Sequence, residues 1–316
     1  MNVKQVLPRD VIPSIDDPTF VSEYDGDSDD QVIVVETDDQ ARAYPLRYLN
    51  YHEIVNDQVD GTPLAVTWCP LCGSAVVYDA RVDGRSLEFG VSGKLADDDL
   101  VMYDRQTESE WKQSLGEAIS GPLEGEHLEV LPAAVVPYRR FVSDHPNGVV
   151  LAPPGGESEA ASDDDEPAPI EYDDEPYRHY FDMDGFGLAA HRGEGNRSWD
   201  RDDLDPKEVV LGVVIGDDAL GFSYDRVEDA DGVAQTPVGG TSVAVFVTPD
   251  GIHAFDVDRL TFDPTDDPGL FEADGTVWDG ATGKSDDGRT LDRIPAQRLF
   301  AFSWQDDHGP DAFYGE

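Results

Sequence analysis

The chain has 316 residues, enough for one large domain or two medium ones, and its 39 % apolar fraction can build a full core. It carries 68 Asp and Glu against 22 Lys and Arg, a net charge of −46. That leaves no basic patch to neutralise phosphates, so nucleic acid is excluded as a partner. Its apolar runs are strand-sized, which argues against a membrane span, and two cysteines are too few for a disulfide framework.

The acidity is not one tail. Glu157–Glu175 holds 10 acidic and no basic residues, and removing it still leaves 58 against 22. A surface charged throughout repels itself at low ionic strength, and molar salt screens it by shortening the Debye length to roughly 3 Å. The expectation is a halophilic protein with an acidic surface. Met1–Asp10 has no charged-then-apolar leader, so the expected compartment is cytoplasmic.

Residues 1–30 are polar, interrupted by Pro8, Pro13 and Pro18, and read as an extended N-terminal lead-in. Residues 31–152 read as a first β-rich repeat. β-branched and aromatic runs bounded by Gly, Pro and Asp predict strands at Val32–Glu36, Leu64–Trp68, Ala75–Asp79 and Leu100–Tyr103. Helical patterning is thin, about two turns at Tyr48–Val55 and again at Val136–Val142. Residues 153–176 mix Pro, Gly, Ser and acid. They bury too little to offset chain entropy and read as an acidic disordered linker. Residues 177–207 read as an irregular aromatic arm, and 208–316 as a second, degenerate β-rich repeat.

The repeat rests on matches kept in one order. Ala41-Arg-Ala-Tyr aligns with Ala219-Leu-Gly-Phe, and Gly61-Thr-Pro-Leu-Ala-Val with Gly240-Thr-Ser-Val-Ala-Val. Tyr103-Asp-Arg-Gln-Thr107 aligns with Trp278-Asp-Gly-Ala-Thr282, and Asp144-His145 with Asp307-His308. The predicted fold is therefore α+β and β-rich: two degenerate tandem repeats about a pseudo-two-fold, with hairpins and few short helices.

Cys69-Pro70-Leu71-Cys72-Gly73 falls between two predicted strands. Redox motifs of the thioredoxin type place the first thiol at a helix N-terminus instead. A strand–turn–strand setting resembles half of a zinc-ribbon or rubredoxin-type knuckle, where Pro presets φ and Gly permits a positive φ. The matching turn of the second repeat, Pro249-Asp250-Gly251, has no thiols. Its Thr-to-Asp span is two residues shorter, 241–256 against 62–79. The cysteines are thus added to a hairpin that closes without them, which points to a role beyond folding. His52, Met102, Arg105, Trp111 and Gln113 also lack counterparts. Asp104 and Thr107 recur as Asp279 and Thr282, and suit a side-chain-capped turn.

Three chemistries remain open. A tetrahedral metal site would take Cys69 and Cys72, with His52 and Met102 as further soft donors and Glu53 or Asp57 as carboxylates. Cys, His and Met favour Cu(I); Cys, His and carboxylate favour Zn. Alternatively, the two thiols cycle with a disulfide, as in a thiol–disulfide oxidoreductase, with Arg105 or His52 lowering a thiol pKa. A third reading is a small-ligand-binding module in the crevice between the repeats, contacted by Arg105, Trp111, Gln113, Glu53 and Asp57. No catalytic residue stands out: Ser74 lacks a nucleophile-elbow sequence, and acidic pairs occur throughout.

Larger blocks carry a family resemblance. They are Arg9-Asp-Val-Ile-Pro-Ser-Ile-Asp-Asp-Pro18, Ala43-Tyr-Pro-Leu46, His52-Glu-Ile-Val-Asn-Asp57, Thr67-Trp-Cys-Pro-Leu-Cys-Gly-Ser74, Phe89-Gly-Val-Ser-Gly93, Leu100-Val-Met-Tyr-Asp-Arg105 and Trp111-Lys-Gln113. Together they resemble domain-of-unknown-function family 3179 over nearly the whole chain. The resemblance implies that His52, Cys69, Cys72 and Met102 share a site, and it implies no particular reaction. The chain departs from the family pattern at Lys112, where Ser is commoner, and in its long acidic stretch.

Overall fold

Val32, Ile33, Val34 and Val35 are all buried, so the strand Gln31–Glu36 is covered on both faces. Strands of this kind dominate the computed structural model, which describes residues 1–37, 40–162 and 166–315. With 42 % strand and 13 % helix, it is β-rich and built of several antiparallel sheets with few short helices.

One sheet runs in the order Ala134–Pro137, Gln31–Glu36, Ala41–Pro45, Val149–Leu151, Phe20–Val21. A second joins the two halves of the chain. Its order is Asp218–Ser223, Val209–Ile215, Gln297–Phe300, Ser74–Asp79, Thr62–Cys69, Ile54–Val59, with Glu129–Val130 also paired to Ser74–Asp79. The join is a single register pair, Arg298 opposite Ala75. A third sheet carries Val3–Gln5, Phe89–Ala96, Asp99–Asp104, Glu110–Lys112 and Glu117–Ser120. Two four-stranded sheets complete the second half, one centred on Thr241–Thr248 and the other on Leu270–Ala273.

The predicted strands are present, each extended by one or two residues at its ends. Both predicted helices are present with shifted bounds, Leu46–His52 and Tyr138–Asp144. Each begins directly after a proline, Pro45 or Pro137, held extended with φ of −63° or −61°. The helix Ala301–His308 is a finding of the structure. Its four leading residues are all buried while its later ones are polar, so the pattern divides along the axis rather than by face and gives no helical period. Trp304 of this helix lies flat on the Val209–Ile215 hairpin, where a Cβ at Gly212 would sit 2.1 Å from its ring.

One segment differs from the sequence reading. The stretch 153–176 is not simply a solvated linker, although residues 163–165 within it lie outside the described residues. Glu157–Ser158 pairs with Ala168–Pro169, and the fully buried Ser158 donates its hydroxyl to the Tyr51 carbonyl. Its aromatic Tyr172 packs against Tyr48 and Tyr51, burial that its acidic composition hides. The arm 177–207 contains the short helices Arg178–Asp182 and Gly187–His191, and it buries Tyr180 and Phe186. Those rings join the core cluster of Cys69, Cys72, Met102, Trp111, Phe300 and Phe302. No described helix is long and apolar enough to cross a membrane.

Candidate metal centre

Cys69 ends its strand opposite Ser74, and Pro70–Gly73 closes the hairpin. Gly73 has φ of +57°, and a Cβ there would meet the Phe300 ring at 2.7 Å, so glycine is required. The Cys72 Sγ donates to the Asp98 carbonyl at 3.2 Å. This is the strand–turn–strand setting that the sequence predicts. In the second half, Thr248 stands opposite Gly251, so that hairpin closes with Pro249 and Asp250 alone.

The turn is held from outside its own sheet. Tyr180 donates its hydroxyl to Leu71 O at 2.6 Å, the Phe300 N–H donates to Cys72 O at 2.7 Å, and Arg298 donates to Gly73 O at 2.7 Å. Three successive carbonyls are thereby satisfied by the arm and the second half.

Asp99 supplies the third donor. It opens the strand Asp99–Asp104, and its carboxylate and both sulfurs lie within 4.8 Å of one another, all three residues buried. Its Oδ2 accepts the Ser303 hydroxyl at 3.0 Å and its Oδ1 accepts the Ser114 N–H at 3.3 Å. Burial pushes this carboxyl up to about 6, against the pull of Lys112. Burial also raises both thiols, and the negative charge of Asp99 raises them further. Behind Asp99, the buried Lys112 ammonium pairs with Asp307, whose Oδ2 accepts the Ser114 hydroxyl at 2.6 Å. Burial opposes the lysine charge, but Asp307 and Asp99 outweigh it and hold Lys112 firmly protonated.

A cavity of about 90 Å³ opens beside Cys69, lined also by Glu53, Leu71, Tyr177, Leu188 and His191. Glu53 follows the Leu46–His52 helix at φ of +57°, and its buried Oε2 has no hydrogen-bond partner. Burial, reinforced by Glu159 and Asp99, pushes its carboxyl up to about 8. Glu53 is thus the sequence candidate that shares a cavity with a thiol.

The other candidates lie elsewhere or act as frame. His52 places Nδ1 2.8 Å from Pro13 O and Nε2 2.8 Å from the Tyr172 hydroxyl. A carbonyl only accepts, so Nδ1 carries the proton and Nε2 accepts from Tyr172. His52 is not in the group formed by the two sulfurs and Asp99. Met102 is buried in the same core cluster as both cysteines. Asp57 accepts from Arg42 and from the Tyr44 hydroxyl, each at 2.6 Å. Arg105 pairs with Asp16 at 2.6 Å and donates to Ser14 at 2.8 Å. Trp111 donates to Asp104 at 3.0 Å, and Gln113 to the Thr67 hydroxyl at 2.8 Å, inside the cysteine hairpin. Asp104 also caps its turn by accepting the Thr107 N–H at 2.5 Å, as Asp279 does for Thr282 at 3.1 Å.

Asp99 and Ser303 have no role in the sequence reading, and Asp307 enters it only through the repeat match with Asp144. In a chain with 68 acidic residues, one aspartate carries no mark of its own. The available signal is that Asp99 leads directly into Leu100-Val-Met102, a run expected to be buried.

No curated protein and no solved structure matches the chain. A family model does match, over residues 9–312, and so covers the turn, Asp99 and the second-half residues that hold them. The chain belongs to the family described as Protein of unknown function (DUF3179).

Proposed function

We propose that this protein binds one thiophilic metal ion, zinc by preference, through Cys69, Cys72 and Asp99. The observation that carries the reading is the convergence of two sulfurs and one carboxylate within 4.8 Å on buried residues. Two thiolates and a carboxylate suit zinc, and a carboxylate in place of His52 and Met102 moves the donor set away from Cu(I). Three protein ligands leave one position of a tetrahedron open, as in catalytic rather than closed structural zinc sites. The cavity beside Cys69 supports a reachable fourth position. Ser303 and Ser114 hold the Asp99 oxygens, which is the outer support that metal ligands use. Binding would release the thiol protons that burial now retains.

The redox reading is weaker on the same geometry. A reactive thiol favours a partly exposed, electropositive setting, whereas Cys72 is fully buried and Asp99 is its neighbour. The dispersed acidity supports a halophilic, cytoplasmic setting and a metal or small molecule, rather than nucleic acid, as partner.

The two halves read as degenerate repeats, and the element order supports this. Gln31–Glu36, Ala41–Pro45, helix Leu46–His52, Ile54–Val59, Thr62–Cys69, Ser74–Asp79 has the same order as Val209–Ile215, Asp218–Ser223, helix Tyr224–Asp229, Val233–Val238, Thr241–Thr248, Gly251–Asp256. Each half then returns a strand to pair with its first strand and follows it with a helix. On this reading the metal site belongs to one copy only, while the other copy braces it through Arg298, Phe300 and Ser303.

Metal analysis tests the proposal. Chain loaded with zinc under reducing conditions and then desalted should hold about one equivalent. Cys72→Ser should hold less than about a tenth of that. A parent chain that stays below about a tenth of an equivalent, before and after zinc or copper is supplied, would falsify the proposal.

A further inference from the structure

A cavity of about 220 Å³ lies between the two halves, with Ile33 and Val135 on one side and Ile252 on the other. Arg293, Arg298 and His253 also line it. The two arginines are unusual in this chain. Arg42, Arg47, Arg105, Arg140 and Arg197 each pair with a carboxylate. Neither Arg293 nor Arg298 forms an ion pair with any described carboxylate. Arg293 feels Glu36, Asp144 and Asp279 only at a distance, and Arg298 has no charged neighbour among its influences. Asp250 reaches the same cavity, but its carboxylate is committed to Arg139 at 3.1 Å and Arg140 at 3.2 Å.

The hydrogen bonds leave donors to spare. Arg293 spends Nη2 on the Ala281 carbonyl at 2.6 Å and faces His253 Nδ1 with Nη1 at 3.3 Å. A guanidinium only donates, so Nδ1 accepts and the neutral ring carries its proton on Nε2. That Nε2 is buried and has no partner, in a residue 1 % exposed. Burial, with Arg293 and Arg140 adding, keeps the ring neutral by holding its pKa well below the usual histidine range. Arg298 gives Nη1 to Gly73 O and lies over the Trp68 ring at 5.8 Å. Half-buried charge with no counter-ion and an unmade buried hydrogen bond are both costly. An anion would relieve both at once.

We propose that this cavity binds a small organic carboxylate, its oxygens on Arg293, Arg298 and the His253 Nε2–H and its apolar body against Ile33, Val135 and Ile252. An inorganic oxyanion shares the head-group chemistry but would leave the apolar wall unused. The site shares Arg298 with the thiol turn, through Gly73 O, but uses neither sulfur and needs no metal ion.

Butyrate and inorganic phosphate, each titrated against chloride at fixed pH and ionic strength, distinguish the sources. Butyrate should raise the unfolding midpoint of the full chain with the concentration dependence of one-site binding. Arg298→Gln should weaken butyrate binding about tenfold or more, the usual cost of losing one charged partner of a carboxylate. Ala296→Leu keeps both guanidiniums and narrows the cavity, so it should weaken the effect, and it decides alone if Arg298→Gln fails to fold. Stabilisation by butyrate no greater than by chloride, stabilisation undiminished in Ala296→Leu, or a response to phosphate alone would each overturn the proposal.

Discussion

Replacing Lys112 by Met should destabilise the fold by about 3–5 kcal/mol, the cost of stranding one partner of a buried ion pair. Lys112 and Asp307 are each 2 % exposed in their side chains, and they join residues 195 apart in sequence. Without the ammonium, Asp307 keeps the Ser114 hydroxyl and Asp99 keeps Ser303, but two buried carboxylates then face each other uncompensated. Chemical unfolding at neutral pH measures the loss. Lys112→Met combined with Asp307→Asn should recover a substantial part, because the second change removes the stranded charge. A double-mutant cycle should show about 1–3 kcal/mol of coupling. A loss under about 1 kcal/mol would place the pair in water instead.

Glu53→Gln should stabilise the metal-free chain at alkaline pH and change it little at acid pH. The folded state raises this carboxyl from 4.5 to about 8. A raised carboxyl contributes fully below the unfolded value and is lost as pH climbs through the folded one, because the unfolded chain ionises first. Between those two pH values the parent loses up to ~5 kcal/mol on this account. The glutamine variant carries no such titration. Its advantage should therefore appear above pH about 5 and level off above pH about 8. Parallel stability curves for parent and variant from acid to alkaline pH would show that Glu53 is solvated or already ionised.

The sequence carries the local structure of the site well and its third dimension poorly. Pro70 and Gly73, flanked by β-branched runs, identify a hairpin turn, and Thr62–Cys69 and Ser74–Asp79 form it. The comparison of Pro249-Asp250 with Pro70–Gly73 anticipates a turn two residues longer; Cys72 sits in that turn, while Cys69 takes the strand position that Thr248 holds in the second half. What brings Asp99 to the sulfurs is a neighbouring hairpin, and what holds Asp99 in place is Ser303, 204 residues further on. Neither contact has a local signature. His52 stands one position before Glu53 and shares its motif. The helix ends there, and the positive φ of Glu53 turns the next strand away. The ring of His52 ends up on Pro13 and Tyr172, while Glu53 lines the cavity at Cys69. The acidic stretch misleads for a related reason: Ser158 and Tyr172 supply its packing, and composition averages them out.

Cobalt(II) titrated into the reduced, metal-free chain tests the shared Cys69–Cys72–Asp99 site most directly. The expected result is a sulfur-to-cobalt charge-transfer band with the visible absorption of a four-coordinate ion, saturating at about one equivalent. The band should be lost in Cys72→Ser, and Asp99→Asn should keep it but require about tenfold or more cobalt. No thiolate band at saturating cobalt, with both thiols still titratable, would contradict the account.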